Sequence, residues 1–325
     1  MGRIEQVKKA IRFESPDYVP LFIFDGERDE SDIIQIDLEK FYLGPEKNVS
    51  EWGFQWASTD TRVPMGTPTH PPIASWDDFA EYKRHGMPNP FDASRFDGVK
   101  EVMAQYGTDR YYMGSLYLTG FTIMSFIRGF CNLMEDMYLH RDKVEELTDL
   151  VLGFECDIIR QMKPHGFHAV SLWDDWGSQT GLVIEPRMWR EIFKPRYIRQ
   201  VKVAHDCGLD VFFHTCGCVY DILPDIIECG FDMLNLTQPD LNGIERVGRE
   251  FGGKTCFVAP VNYQTTSLTG TVEQIDDEAR RTVESFGRPN GGLIALLIYY
   301  KTMGMSEENY RATLDSFRKY GRSRS

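Results

Sequence analysis

Short apolar runs of strand length recur along the chain, separated by longer stretches with a helical apolar stripe. Residues 19–24, 54–58, 110–117, 168–173, 209–213, 231–236, 255–261 and 292–297 have the length and content of buried strands, with 54–58 the weakest. Between them, residues 142–162 carry a clean apolar stripe that stops at Pro164-His165-Gly166. Residues 187–205 follow Pro186, a favoured first-turn residue, and contain Pro195, whose missing N–H predicts a kink. Helical patterns at 273–286 and 306–320 complete the series, the latter with a Ser-Glu-Glu start of capping-box type. The opening MGRIEQVKKAIRF reads as an amphipathic helix rather than a signal peptide, because it lacks an unbroken apolar segment.

Strands alternating with helices predict an α/β fold, and eight of them predict a (β/α)8 TIM barrel rather than an open sheet. The expected organisation is a single barrel over residues 1–325, with an irregular, Pro-, Gly- and His-rich insertion around 64–90 lying over the barrel mouth. No glycine-rich nucleotide loop follows any strand. Active sites of this fold lie at the C-terminal ends of the strands. Candidates there are Phe24 and Asp25, Tyr117, Asp174 and Asp175 with Trp173 and Trp176, Asn235, Asn262, and Tyr299 with Tyr300. Successive strand residues point opposite ways, so at most one of Asp174 and Asp175 should reach the pocket. Such acidic pairs also commonly cap a loop or turn.

Residues 211–220, VFFHTCGCVY, carry the sharpest chemical signal. In an extended segment His214 and Cys216 share one face and can aim an imidazole and a thiolate at one point, a donor pair suited to zinc. Gly217 then breaks the strand. The same spacing also fits a core histidine beside a buried free cysteine.

Composition narrows the classes. The formal net charge of −13 argues against nucleic acid and anionic membrane surfaces as partners. No apolar run approaches the roughly 18 residues of a membrane span. Seven cysteines without a short secreted framework fit a reduced, cytoplasmic protein.

The blocks DDWGSQTGLVIEPRMWREIFKPRY (174–197), VFFHTCGCVYDILPDIIECGFDMLNLTQ (211–238) and FVAPVNYQ (257–264) resemble the uroporphyrinogen decarboxylase and cobamide-dependent methyltransferase superfamily. The opening helix and the closing ENYRATLDSFRKYG extend the likeness over nearly the whole chain. The resemblance implies a (β/α)8 barrel and one of two chemistries. True decarboxylases carry an N-terminal arginine-rich block for the substrate's carboxylates, whereas this chain has the acidic PLFIFDGERDESD there. The methyltransferase branch holds Zn2+ through a His-x-Cys pair like His214 and Cys216. Its usual third ligand, a cysteine after the last strand, is missing from GGLIALLIYYKTMG, leaving Cys256 or an Asp of the 174–175 pair as substitute.

The expected activity is therefore zinc-dependent O-demethylation of a methoxylated, aromatic small molecule. The methyl group passes to a corrinoid (cobalamin) cofactor on a separate carrier protein, since the chain lacks a cobalamin-binding signature. Asp174 or Asp175 would orient the substrate or move a proton, and Phe24, Asp25, Tyr117, Trp176, Asn262 and Tyr299 would bind it. Methyl transfer from the corrinoid to a thiol, porphyrinogen decarboxylation and a degenerate non-catalytic subunit are the alternatives. The pattern leaves room for a homodimer.

Overall fold

The alternation closes into a barrel in the computed structural model, which describes residues 2–40, 43, 48–57, 66–299, 301 and 304–322. The strands are β1 (Leu21–Asp25), β2 (Ile33–Asp37), β3 (Tyr111–Leu116), β4 (Ala169–Trp173), β5 (Asp210–Thr215), β6 (Met233–Leu236), β7 (Cys256–Ala259) and β8 (Leu293–Ile298). All neighbours run parallel, and β8 pairs back onto β1 through Leu21↔Ala295 and Phe22↔Leu296.

Seven of the eight expected strands take their places, and the second does not. Its position is filled by Ile33–Asp37, IIQID, a segment hidden in the sequence by acidic residues on both sides. Within the expected 54–58 run, Gln55–Ala57 pairs antiparallel with Thr67–Thr69 outside the barrel, while Ser58 lies beyond the described residues. The apolar content of this segment serves the helical layer: the Trp52 ring meets Phe154 at 4.6 Å and Phe54 meets Phe126 at 5.3 Å. The described part of the expected mouth loop, 66–90, is not featureless. It carries a 3-10 turn at Trp76–Asp78 capped by Ser75. It is tied to the outer helices by Arg128, whose guanidinium donates to the Ile73 and Ala74 carbonyls.

Helices occupy the crossovers as their patterns predict. We label α1 (Arg3–Arg12), α2 (Gly120–Arg128), α3 (Arg141–Met162), α4 (Lys194–Asp206), α5 (Val272–Phe286) and α6 (Glu307–Tyr320). The irregularity expected near Pro195 is a π-helical turn at Trp189–Phe193 just before α4. Thr271 and Ser306 cap α5 and α6.

Two apolar layers hold the barrel. Outward-facing strand residues such as Val170, Phe213 and Leu234 pack under the helices. Inward-facing ones, among them Phe22, Met113, Phe212, Met233 and Ile294, fill the interior, and α1 closes the floor with Val7, Ala10 and Ile11. Each such side chain contributes about 1.5–3 kcal/mol of burial. The interior is therefore solid below, and only its upper rim is free for polar groups.

Candidate metal centre

Register decides which residues meet at that rim. Parallel pairing sets Trp173 opposite His214 and His214 opposite Asn235, so three strands present one row at one height. The Trp173 indole lies 4.0 Å from the His214 ring at 31°. His214 Nδ1 lies 2.6 Å from Asn235 Oδ1 and 2.8 Å from the Thr237 hydroxyl. The Asn235 amide is itself oriented, because its Nδ2 donates to the Val258 carbonyl at 2.5 Å. The carboxamide oxygen therefore faces the imidazole, Nδ1 carries the proton, and Nε2 is the nitrogen left to act as a donor.

That nitrogen points at two further donors. Cys216 Sγ lies 3.4 Å from Nε2, and Asp175 Oδ1 lies 3.5 Å from it. The three ligand atoms all fall within 4.8 Å of one another. Donors sharing one tetrahedral zinc, with bonds of about 2.0–2.3 Å, stand roughly 3.3–3.6 Å apart. The three donors fit that ion in chemistry, and the His–Cys and His–Asp separations fit it in spacing, while three protein donors leave one position for a substrate. Burial opposes a charge on His214, but the Cys216 sulfur and the Asp175 carboxylate outweigh it and push the imidazole up to about 10. Desolvation acts against the Asp175 carboxylate, yet hydrogen bonds and charge from His214 and the Cys216 backbone N–H hold it below the usual range.

The loops that carry these donors are fastened backbone to backbone. Asp174 N–H donates to the His214 carbonyl, Gly177 N–H to the Cys216 carbonyl and Cys218 N–H to the Ser178 carbonyl. Cys216 N–H in turn donates to Asp175 Oδ1 at 2.9 Å. This closeness requires glycine: a Cβ on Gly217, at φ +79°, would sit 2.2 Å from the Gly177 backbone.

A cavity of about 190 Å³ opens beside the cluster. Phe24, Tyr117 and Trp173 form one wall, with the Tyr117 ring 4.8 Å from Trp173 and 6.1 Å from Phe24. Asp175, His214 and Cys216 form another, and among the described residues no Lys or Arg lines it. Thr122, Thr237 and Tyr263 complete its polar edge. The sequence reading missed these three. Thr237 repeats from Asn235 the two-residue spacing of the His–Cys pair, which could have flagged it. Thr122 sits at the start of α2 and gives no signal in sequence.

Other expected site residues lie elsewhere. Asp174 is fully buried and turned outward, accepting the Phe121 and Thr122 N–H groups at 2.9 and 2.8 Å and the Tyr197 hydroxyl. Burial pushes its carboxyl up to about 7 against these donors. Trp176 points into the helical layer, against Phe121 and Phe193, with its N–H on the Tyr197 oxygen at 3.2 Å. Cys256 is one layer too low: pairing sets it level with Met233 and Phe212, and by continuation the β7 position level with Asn235 is Val258. Its thiol is buried and pushed well up by desolvation, the reverse of a ready thiolate. Asn262 holds a turn, donating to Asp240 at 2.8 Å and accepting from Gln264 N–H. Tyr299 stacks on Tyr310 at 4.7 Å behind the strand end. Asp25 follows an irregularity in β1, is exposed and is not on the cavity wall. Tyr300 falls outside the described residues.

Fold and site together define a closed (β/α)8 barrel with a His–Cys–Asp donor cluster at its C-terminal mouth. Residues 61–320 match the family described as "Uroporphyrinogen decarboxylase (URO-D)", and the chain belongs to that family. Among solved structures, a methyltransferase from Methanosarcina mazei superimposes with a TM-score of 0.72, covering 98% of this chain and 99% of that one at 15% identity. At that identity the likeness shows the fold. A family 10 endo-beta-1,4-xylanase from Gloeophyllum trabeum reaches a TM-score of 0.39 at 13% identity, over 68% of this chain and 80% of that one, and carries no argument. The chain has no match among proteins of curated function.

Proposed function

We propose that the protein is a zinc-dependent methyltransferase that removes the methyl group of a methoxylated aromatic substrate and hands it to a corrinoid held by a separate carrier protein. The observation that carries this reading is the donor set of Asp175, His214 and Cys216 beside a small aromatic cavity that, among the described residues, no Lys or Arg lines. Asp175, His214 and Cys216 would hold a zinc ion, whose Lewis acidity would stabilise negative charge developing on the departing oxygen. Asn235 and Thr237 hold the imidazole in its donor tautomer, and Phe24, Tyr117 and Trp173 offer flat faces to one ring.

Size and charge support the choice among the alternatives. A cavity of about 190 Å³ suits a single-ring molecule and is small beside the usual 300–1,000 Å³ of larger-ligand pockets, so a corrin would be presented from outside. A polycarboxylated porphyrinogen would meet Asp175 and, among the described residues, no Lys or Arg on the lining, which disfavours decarboxylation. Activating a thiol favours a thiolate-rich metal site, whereas this cluster offers a single sulfur. The M. mazei methyltransferase shares the barrel, in keeping with the transferase reading.

The test supplies the zinc-loaded protein with cob(I)alamin or a corrinoid carrier and a panel of methoxylated phenols. Loss of the cob(I) absorbance together with appearance of the demethylated phenol is expected. Methylation of small thiols from methylcobalamin, with no reaction on any methoxyarene, would favour the reverse transfer. Decarboxylation of uroporphyrinogen would overturn methyl transfer altogether.

A further inference from the structure

Asp174 faces away from the cavity, yet it is connected to the residue that faces in. We propose that Asp174 is a positioning residue of the metal centre, acting through the Thr122 hydroxyl on Asp175. This rests on the reading of Asp175, His214 and Cys216 as metal donors.

The connection is directional. Asp174 Oδ1 accepts from the Thr122 hydroxyl at 2.9 Å as well as from the Thr122 N–H. Oδ1 already acts as an acceptor toward the Thr122 N–H, so the hydroxyl proton points at the same oxygen and a lone pair of the Thr122 oxygen is left facing the other way. That lone pair receives the Asp175 N–H at 3.1 Å. Trp176 N–H is held by the Thr215 hydroxyl at 3.1 Å on the β5 side. Asp175 is thus clamped between α2 and β5, with its carboxylate beside Cys216 N–H and His214 Nε2. Gly120, at φ +47°, makes the arrangement possible, since a Cβ there would stand 2.2 Å from Asp174 Oδ2.

Capping of α2 does not by itself explain this link. Glu155 is equally buried and also serves the start of α2, accepting Gly120 N–H at 2.8 Å and the Gln200 amide at 2.5 Å. None of its hydrogen bonds leads to Asp175. The two carboxylates therefore separate a positioning role from a structural one: both support the helix, and only Asp174 orients a metal donor.

The test is a chelator-competition titration of Zn2+ on the full chain, with the visible spectrum of the Co2+-loaded protein recorded alongside. Thr122→Val and Asp174→Asn are expected to weaken metal binding about 10–100-fold and to alter the Co2+ absorption, and Thr122→Ser to restore both. Glu155→Gln is expected to change the melting temperature while leaving affinity and spectrum unchanged. If Asp174→Asn fails to fold, Thr122→Val still decides the matter. Binding by Thr122→Val within about twofold of the parent, or a loss in Glu155→Gln matching that of Asp174→Asn, would overturn the proposal. A parent protein that binds neither metal would overturn the metal reading itself, whereas a parent that binds beside an unaffected Thr122→Val overturns only the positioning role.

Discussion

His214 carries more of the proposed chemistry than any other side chain, and its surroundings set a pH dependence. Its folded-state value of about 10 lies above the ordinary 6.5, with burial opposing the charge while Cys216 and Asp175 favour it. A value raised in this direction stabilises the metal-free protein fully below about pH 6.5, and that contribution is lost as the pH climbs through about 10. A metal ion must displace the same proton from Nε2. Apparent zinc affinity is therefore expected to rise roughly tenfold per pH unit between about pH 7 and 9, measured against a competing chelator. A flat profile would exclude His214 as a donor. His214→Ala and Cys216→Ala are each expected to abolish stoichiometric zinc while circular dichroism stays that of the parent, because neither side chain belongs to the apolar layers.

At the scale of elements, the site is two loops brought together by two glycines. Ala at position 217 meets both a left-handed backbone, costing about 1–3 kcal/mol, and the Gly177 backbone. Gly253, at φ +89°, has nothing within 4 Å of the same atom. Gly217→Ala and Gly253→Ala should share the backbone penalty, and only Gly217→Ala should lose metal, since it alone spreads the β4 and β5 loops. Equal metal retention in the two variants would show that the loop contact does not hold the donors. Strand patterns made this end of β5 readable in advance: an apolar run, a His–Cys pair and a glycine break each report a local requirement. β2 was missed because five residues with acidic neighbours carry little periodicity, and the stronger aromatic run at 54–57 serves the helical layer instead.

Across the whole molecule, apolar burial carries the stability and the rim carries the chemistry. The proposed metal site lies at the rim, outside both apolar layers, so removal of an ion from it should cost the fold no more than its own binding linkage. Dialysis against a strong chelator is expected to abolish methyl transfer and leave secondary structure intact. The melting temperature should then return upward on re-addition of zinc, by about 2.7 kcal/mol of linkage at a free metal concentration a hundredfold above Kd. Global unfolding on chelation would make the ion a structural one. The charge of −13 matches a cavity that, among the described residues, no Lys or Arg lines, and both favour a neutral substrate over an anionic one.

Periodicity along the chain determined the barrel, and with it the end where a candidate site falls and the shared face of His214 and Cys216, because side-chain alternation and a glycine break are local properties. The blocks between 174 and 264 carried the family. Only the tertiary structure decided between Asp174 and Asp175, demoted Cys256, and recruited Thr122 and Thr237. Those outcomes depend on the register between neighbouring strands and on a helix start dozens of residues away in sequence. A one-residue change of register, invisible in composition, would have turned the other carboxylate toward the cavity and lifted a different side chain to the height of His214.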